Sequence, residues 1–157
     1  MSEVHNVFIS HRHEDDHHNA NFKRLMDGKD VQIRDSSITS DRPNQARSPE
    51  YIKSAILAPR IQWAGKLVVI ITPDTKNHDW VAWEIEYANK LPSDKLIIGV
   101  WAPGSAGCEE PEPLKRYADA IVPWDPAKIL AAFNGERIFE NAQGVPRLAQ
   151  PIKRIGC

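Results

Sequence analysis

The sequence predicts an α/β domain in which helices cover both faces of a five-stranded parallel sheet. The first observation is a series of short runs rich in Val, Ile and Leu, at 7–9, 31–33, 67–71, 96–101 and 120–122. Most of these runs are continuous rather than alternating, which is typical of strands buried on both faces. The second observation is that the segments between the runs can hold the crossover helices that parallel strands require. A chain of 157 residues is long enough for one such domain with a real core.

Composition and charge exclude several classes of protein. The net charge is −1, so no global charge attracts nucleic acid or an acidic membrane. The longest apolar runs are too short to span a bilayer, and the N-terminus lacks the pattern of a signal peptide. The two cysteines, Cys108 and Cys157, match neither a disulfide scaffold nor a zinc spacing. We therefore expect a cytoplasmic protein.

Turn and cap residues place the helices in the middle of the chain. Ser-Pro-Glu at 48–50 is a start signal for the second helix, and Pro59 is expected to break or kink that helix. The third helix is predicted over 79–91, which ends just before a proline. The segment 103–113 is rich in Gly, Pro and acidic residues, so it is expected to be mainly loop.

The C-terminal part is predicted to contain one short helix followed by a tail. Asp125 and Pro126 have the residue types of an N-cap and a first helical residue, and the helix is expected to end at Phe133. Residues 135–157 are polar and are predicted to form an extended tail. The domain itself is therefore expected to span 1–134.

One carboxylate lies on the apolar side of the predicted third helix. At about 100° per residue, Glu84 falls in the middle of an arc that includes Trp80, Trp83 and Tyr87. Burying an unpaired carboxylate is costly, so this residue must be paired, protonated or facing a cleft. It comes too late after Asp79 for a capping box. A structural ion pair with an arginine stays open, but a functional carboxylate is the preferred interpretation.

Three polar loops are expected to meet near this carboxylate. If the strand order is 2-1-3-4-5, ligands bind where the order reverses, between the first and third strands. The loops at 10–15, 35–47 and 72–79 should converge there, and the last of them leads directly into the third helix. Local positive charge for phosphates is available in the first two loops from Arg12, Arg42 and Arg47.

Other chemistries are disfavoured by the same loops. No metal site is expected from the N-terminal histidines, His5, His11, His13, His17 and His18. The acidic residues at 14–16 are typical of a phosphoacceptor pocket, but the third strand ends in Thr72 instead of an acceptor aspartate. There is no Gly-rich phosphate loop, so NTP hydrolysis at such a loop is not expected.

Two motifs resemble the TIR-domain family. Asn-Val-Phe-Ile-Ser-His at 6–11 resembles the first TIR box, in which a strand ends in Phe-Ile-Ser. Trp-Val-Ala-Trp-Glu-Ile at 80–85 resembles the TIR helix in which a Trp precedes the catalytic glutamate by four residues. Ile-Arg-Asp at 33–35 and Trp124 also fit. The resemblance covers about residues 4–133 and is strongest to the bacterial group that includes the TIR subunit of Thoeris anti-phage defence.

The resemblance implies a flavodoxin-like fold and an NAD glycohydrolase or ADP-ribosyl cyclase activity. NAD is then the substrate, and no separate cofactor is implied. In the Thoeris branch the ADP-ribose part becomes a cyclic or modified nucleotide, and this diffusible signal activates a separate effector. A phage-derived trigger and assembly into a homo-oligomer are further expectations from the family.

The resemblance also implies the site residues. Glu84 would be the catalytic carboxylate that stabilises an oxocarbenium-like state. Ser10, His11 and Arg12 would contact ribose or phosphate, although His11 departs from the Tyr of many relatives. Asp35 and Ser37 would belong to a gate formed by the second loop, and Trp80 would shape the floor of the site.

Two other functions stay open at this point. A TIR-like binding module would keep the fold and signal by assembly, with Glu84 merely structural. A nucleoside deoxyribosyltransferase-like enzyme would also use a glutamate on a related fold. Turnover of NAD distinguishes the NAD-cleaving enzyme from the binding module, and turnover of deoxynucleosides distinguishes it from the deoxyribosyltransferase-like enzyme.

Overall fold

A single parallel sheet forms the centre of the protein. The computed structural model describes residues 3–11, 15–29, 31–35, 57–73, 75, 79–91, 95–105 and 107–146. The strands in this part of the chain are β1 (Glu3–Ser10), β2 (Val31–Asp35), β3 (Lys66–Ile71), β4 (Leu96–Trp101) and β5 (Ala120–Val122). They pair in the order β2-β1-β3-β4-β5, and every neighbouring pair is parallel. The predicted fold class and strand order are confirmed.

Helices cover both faces of this sheet. They are α1 (Asp16–Asp27), α2 (Ala58–Trp63), α3 (Asp79–Lys90), α4 (Glu112–Tyr117) and α5 (Pro126–Phe133). Side chains of α1 and α5 pack with one apolar cluster, and side chains of α2, α3 and α4 pack with a second cluster on the other face. Within the described ranges, no helix is long and apolar enough to cross a membrane.

The side chains of β1 point alternately to the two faces of the sheet. Val7 and Ile9 belong to the cluster under α1 and α5, whereas Phe8 belongs to the cluster under α2, α3 and α4. Successive side chains of a strand point to opposite faces, so Ser10 shares the α3 face with Phe8. This placement determines which helix the last residue of β1 can contact.

One helix boundary differs from the prediction because of proline. Pro59 lies in the first turn of α2, which continues to Trp63. The residues from 48 to 56, in which the predicted helix would precede Pro59, lie outside the described residues, so the break or kink at Pro59 stays a prediction. A proline in the first turn has no intrahelical hydrogen bond to lose, so it is tolerated there. The helix α4 begins at Glu112, inside the segment predicted to be mainly loop, and again a proline occupies its first turn. The start signal at 48–50 lies outside the described residues.

The remaining helix predictions are confirmed. The helix α3 spans Asp79–Lys90, within one residue of the expected end. The helix α5 spans Pro126–Phe133, and the Asp125 carboxylate accepts from the backbone N–H of Ala127 and of Lys128. This N-cap could be predicted from the sequence because the donors lie only two or three residues after the acceptor.

The segment after α5 contacts the outer edge of the sheet. The N–H of Ile121 donates to the carbonyl of Ile138 over 2.8 Å, and the N–H of Glu140 donates to the carbonyl of Ile121 over 2.9 Å. The indole of Trp101 donates to the carbonyl of Glu140 over 2.8 Å. These bonds cover part of the free edge of β5. The proposed domain boundary at residue 134 stays a prediction.

Candidate active site

The last residue of β1 meets the carboxylate of α3. Ser10 is 1% exposed and Glu84 is 7% exposed. The hydroxyl of Ser10 donates to Glu84 Oε1 over 2.6 Å. This bond joins two residues that are 74 positions apart, and it lies where the chain leaves β1 beside β3. The structure therefore brings these two predicted site residues together.

Burial controls the ionisation of this carboxyl group. Desolvation raises the pKa of Glu84 to about 8, and the hydrogen bond from Ser10 opposes this rise only in part. In the part of the chain that the structure describes, no lysine or arginine forms an ion pair with Glu84. The structural ion pair with an arginine is therefore not seen there. At neutral pH the free protein holds this group largely protonated, and a cation bound beside it would favour the ionised form.

The next residue along the chain, His11, has a defined tautomer. Its Nδ1 lies 2.9 Å from the carbonyl oxygen of Ile9. A carbonyl oxygen only accepts, so Nδ1 carries the hydrogen and donates it. In the neutral ring, Nε2 is then an acceptor. His11 is half-buried directly after Ser10, so it lies at the same edge of the sheet.

Asp35 lies at the end of β2 and faces a different helix. It is in register with Val7, three residues before Ser10, which corresponds to about 10 Å along the strand. Its carboxylate accepts from Asn19 Nδ2 and from Lys23 Nζ, each over 3.1 Å, and both donors belong to α1. The structure therefore does not bring Asp35 to the Ser10–Glu84 pair. Its role in a gate stays a prediction.

Trp80 lies one helical turn before Glu84 on α3. It is half-buried and packs against the apolar cluster on that face of the sheet. Residues four positions apart share a helix face, so Trp80 can contribute to the apolar surroundings of the carboxyl group. The other two predicted site residues, Arg12 and Ser37, lie outside the described residues.

A buried hydrogen-bond network at the same edge was missed by the sequence analysis. The hydroxyl of Thr72, directly after β3, donates to Asp15 Oδ2 over 2.9 Å. The backbone N–H of Thr72 donates to Thr75 Oγ1 over 2.8 Å. The available signal was a threonine at the end of a buried strand with another threonine three residues later, which favours a hydroxyl-stabilised turn.

The histidines of the N-terminal region do not gather into a metal centre in the described ranges. No group of three or more His, Cys, Asp or Glu side chains there is arranged to hold a metal ion. The rings of His17 and His18 lie 4.0 Å apart on α1. Burial, followed by the neighbouring charge of His17, lowers the pKa of His18. His18 therefore favours the neutral form.

A doubly wound parallel sheet of this order defines a flavodoxin-like α/β domain, and a buried glutamate lies beside the end of its first strand. The model of the family described as "Thoeris protein ThsB, TIR-like domain" matches residues 8–107, which is more than half of the chain. The chain belongs to this family of ThsB TIR-like domains. Ser10 and Glu84 both lie inside the matched range.

Solved structures include similar TIR domains. One belongs to the activated Roq1 resistosome that directly recognises the pathogen effector XopQ, at 17% identity and a TM-score of 0.44. The alignment covers 62% of this chain and 57% of that chain, so this chain spans less than two thirds of that relative. A comparison with curated proteins finds no match.

Proposed function

We propose that this chain is an NAD-cleaving enzyme of anti-phage defence, which releases nicotinamide and converts the ADP-ribose part into a nucleotide signal. The observation that carries the proposal is the Glu84 carboxyl, 7% exposed on the apolar face of α3 and hydrogen-bonded to Ser10. A strongly perturbed carboxyl at the ligand-binding edge of an open sheet is typical of an active site. Membership of the Thoeris family supports the role in defence.

The chemistry requires stabilisation of positive charge on ribose. When the bond between nicotinamide and ribose breaks, its electron pair goes to the nicotinamide nitrogen and positive charge develops on the sugar. Nicotinamide is a cation in NAD and leaves as a neutral molecule, so no acid is needed to protonate it. An ionised Glu84 beside the sugar stabilises the oxocarbenium-like state in a dry site.

The substrate itself would help to ionise this carboxyl group. In the free protein, desolvation raises the pKa of Glu84 to about 8. The positively charged pyridinium of NAD, bound beside Glu84, favours the carboxylate and displaces its proton. The Ser10 hydroxyl donates to Oε1, so it also stabilises the charged form. Recognition of a cationic substrate is thereby coupled to formation of the catalytic anion.

The neighbouring histidine would contact the ribose or its attacking group. With Nδ1 donating to the Ile9 carbonyl, the His11 ring is oriented at the end of β1, where it would contact a hydroxyl of the substrate. The nucleophile, either water or a group of the same nucleotide, forms the new bond to ribose, and a nucleophile that carries a proton passes it to the Glu84 carboxylate. A cyclic product requires that water is excluded, which self-association or the second loop would achieve. A phage-derived trigger and a separate effector complete the proposal.

The products of NAD identify the activity. NAD is incubated with the wild type, Glu84→Gln and Glu86→Gln, each with and without lysate from phage-infected cells, and the mixtures are analysed by chromatography with mass detection. Glu86 is the matched control because it is exposed on the same helix. We expect free nicotinamide from the wild type and Glu86→Gln but not from Glu84→Gln, and the mass of the second product defines the signal.

Two results would contradict this function. Intact NAD under every condition, with all three proteins equally folded, would favour a binding module that signals by assembly. Turnover of deoxynucleosides in place of NAD would favour a deoxyribosyltransferase.

A further inference from the structure

A second buried hydrogen-bond network lies at the carboxyl ends of β1 and β3, on the face of the sheet opposite Glu84. Thr72 follows Ile71, which belongs to the α3 face, so the strand alternation directs Thr72 to the α1 face. There it meets Asp15, the residue directly before α1. Exposed fractions are 5% for Asp15, 4% for Thr72 and 0% for Thr75. Hydrogen bonds therefore join the part of the chain around the end of β1 to the part that follows β3 on both faces of the sheet, Ser10 to Glu84 on one and Asp15 to Thr72 on the other.

The donors and acceptors of this network have one consistent direction. An ionised carboxylate only accepts, so the single hydroxyl hydrogen of Thr72 goes to Asp15 Oδ2. The hydroxyls of Thr72 and Thr75 lie 2.8 Å apart, and the hydrogen between them must come from Thr75. The carbonyl of Ile70 is a longer alternative acceptor for Thr75, at 3.3 Å. The relay runs from Thr75 through Thr72 to Asp15.

Asp15 makes this tertiary bond although it lies at the N-cap position of α1. An aspartate there normally accepts from backbone N–H groups in the first turn of its own helix. Its side chain makes no such cap bond. The carboxylate accepts from Thr72, and this bond connects the start of α1 with the end of β3.

The relay is placed to control the geometry of the Ser10–Glu84 pair. The N–H of Thr75 donates to the carbonyl of Thr72 directly after β3, and Thr75 lies four residues before α3, the helix that carries Glu84. Asp15 lies five residues after Ser10 and directly before α1. We propose that the Asp15–Thr72–Thr75 relay is a positioning device, which fixes the chain segments after β1 and β3 and thereby keeps Ser10 and Glu84 at bonding distance. Its catalytic consequence depends on the NAD cleavage proposed above.

Kinetics of Thr72 variants test this role. Thr72→Val removes the hydroxyl and keeps the shape, whereas Thr72→Ser keeps the hydroxyl. Because a displacement of about 1 Å can cost a large part of the rate, we expect Thr72→Val to lower kcat for nicotinamide release by about tenfold or more, with KM changed by less than about threefold. Thr72→Ser should restore most of kcat.

A control variant at the amino end of β4 distinguishes an effect on the geometry of the Ser10–Glu84 pair from a general loss of stability. Asp119 accepts from the N–H of Ile97 over 2.9 Å, where β4 begins. We expect Asp119→Asn to lower the unfolding temperature without changing kcat, measured where all variants are folded by circular dichroism. A loss of kcat in Asp119→Asn equal to that in Thr72→Val would overturn the proposal.

A second readout does not require enzyme activity. The ¹³C shift of the Glu84 carboxyl, identified by its absence in Glu84→Gln, reports the pKa of this group directly. Moving Ser10 out of bonding distance in Thr72→Val removes a hydrogen bond that favours the carboxylate, so the pKa of Glu84 should rise further above its ordinary value. If the wild type releases no nicotinamide, the proposed function fails and the relay is judged by this titration alone. An unchanged titration in Thr72→Val would contradict the relay.

Discussion

The burial of Glu84 predicts that replacing it with glutamine stabilises the protein at high pH. The folded-state pKa is about 8, against an ordinary value of 4.5. Below pH 4.5 the carboxyl is protonated in both the folded and the unfolded state, so it does not lower the free energy of unfolding. As the pH rises from 4.5 to 8, the unfolded chain loses this proton while the folded protein keeps it. The wild type therefore loses stability across that window, and the loss is complete above pH 8.

The magnitude follows from the distance between the two pKa values. Each pH unit between them corresponds to about 1.4 kcal/mol, so the full loss reaches roughly 5 kcal/mol at 25 °C. Glutamine has the same shape as the protonated acid and still accepts from Ser10, but it cannot ionise. All other titrating groups are shared by the two proteins, so they cancel in the difference between their unfolding free energies.

Urea unfolding from pH 5 to pH 9 measures this difference. We expect the free energies of unfolding of wild type and Glu84→Gln to agree within about 1 kcal/mol at pH 5, and Glu84→Gln to be more stable by several kcal/mol at pH 9. Glu86→Gln, which changes an exposed residue of the same helix, should show a difference that does not vary with pH. A difference for Glu84→Gln that is equally flat would refute the reasoning, because it would mean that Glu84 is ionised at no cost.

Two further predictions concern the serine beside the carboxyl and the packing of the sheet. Ser10→Ala removes a bond that favours the carboxylate, so the pKa of Glu84 should rise and the midpoint of the pH profile of kcat/KM for nicotinamide release should move upward; an unchanged midpoint would contradict the role of this bond. Gly99→Ala places a Cβ 2.8 Å from Leu114 Cδ2, so thermal unfolding should show a loss of stability of about 1–3 kcal/mol. A stability equal to that of the wild type would contradict this prediction, because it would show that the Leu114 side chain moves aside at no cost.

The fold could be predicted because its signals are local. The buried strands appear as apolar runs, and the cap at Asp125 involves residues only a few positions apart. The beginning of α4 was missed because Gly, Pro and acidic residues indicate a loop, although Pro113 suits the first turn of a helix.

The candidate site could be predicted only where helical periodicity was informative. Glu84 stood out because a carboxylate interrupts an apolar arc, and that arc is visible in the sequence. The relay of Asp15 and Thr72 could not be predicted, because the bond joins residues 57 positions apart and the aspartate has the residue type of an ordinary cap. The side of the sheet to which the Asp35 carboxylate points could not be predicted either, because it depends on contacts with Asn19 and Lys23 of α1 that no local pattern specifies.

The rate of nicotinamide release from NAD at pH 8.5 tests the central claim most directly. It is followed by ¹H NMR for the wild type, Glu84→Gln and Glu86→Gln at equal concentration, with the trigger present if the wild type needs one. We expect Glu84→Gln to be slower by about 10²-fold or more, since the developing charge on ribose loses its carboxylate, and Glu86→Gln to match the wild type. Equal rates for Glu84→Gln and the wild type would contradict the account.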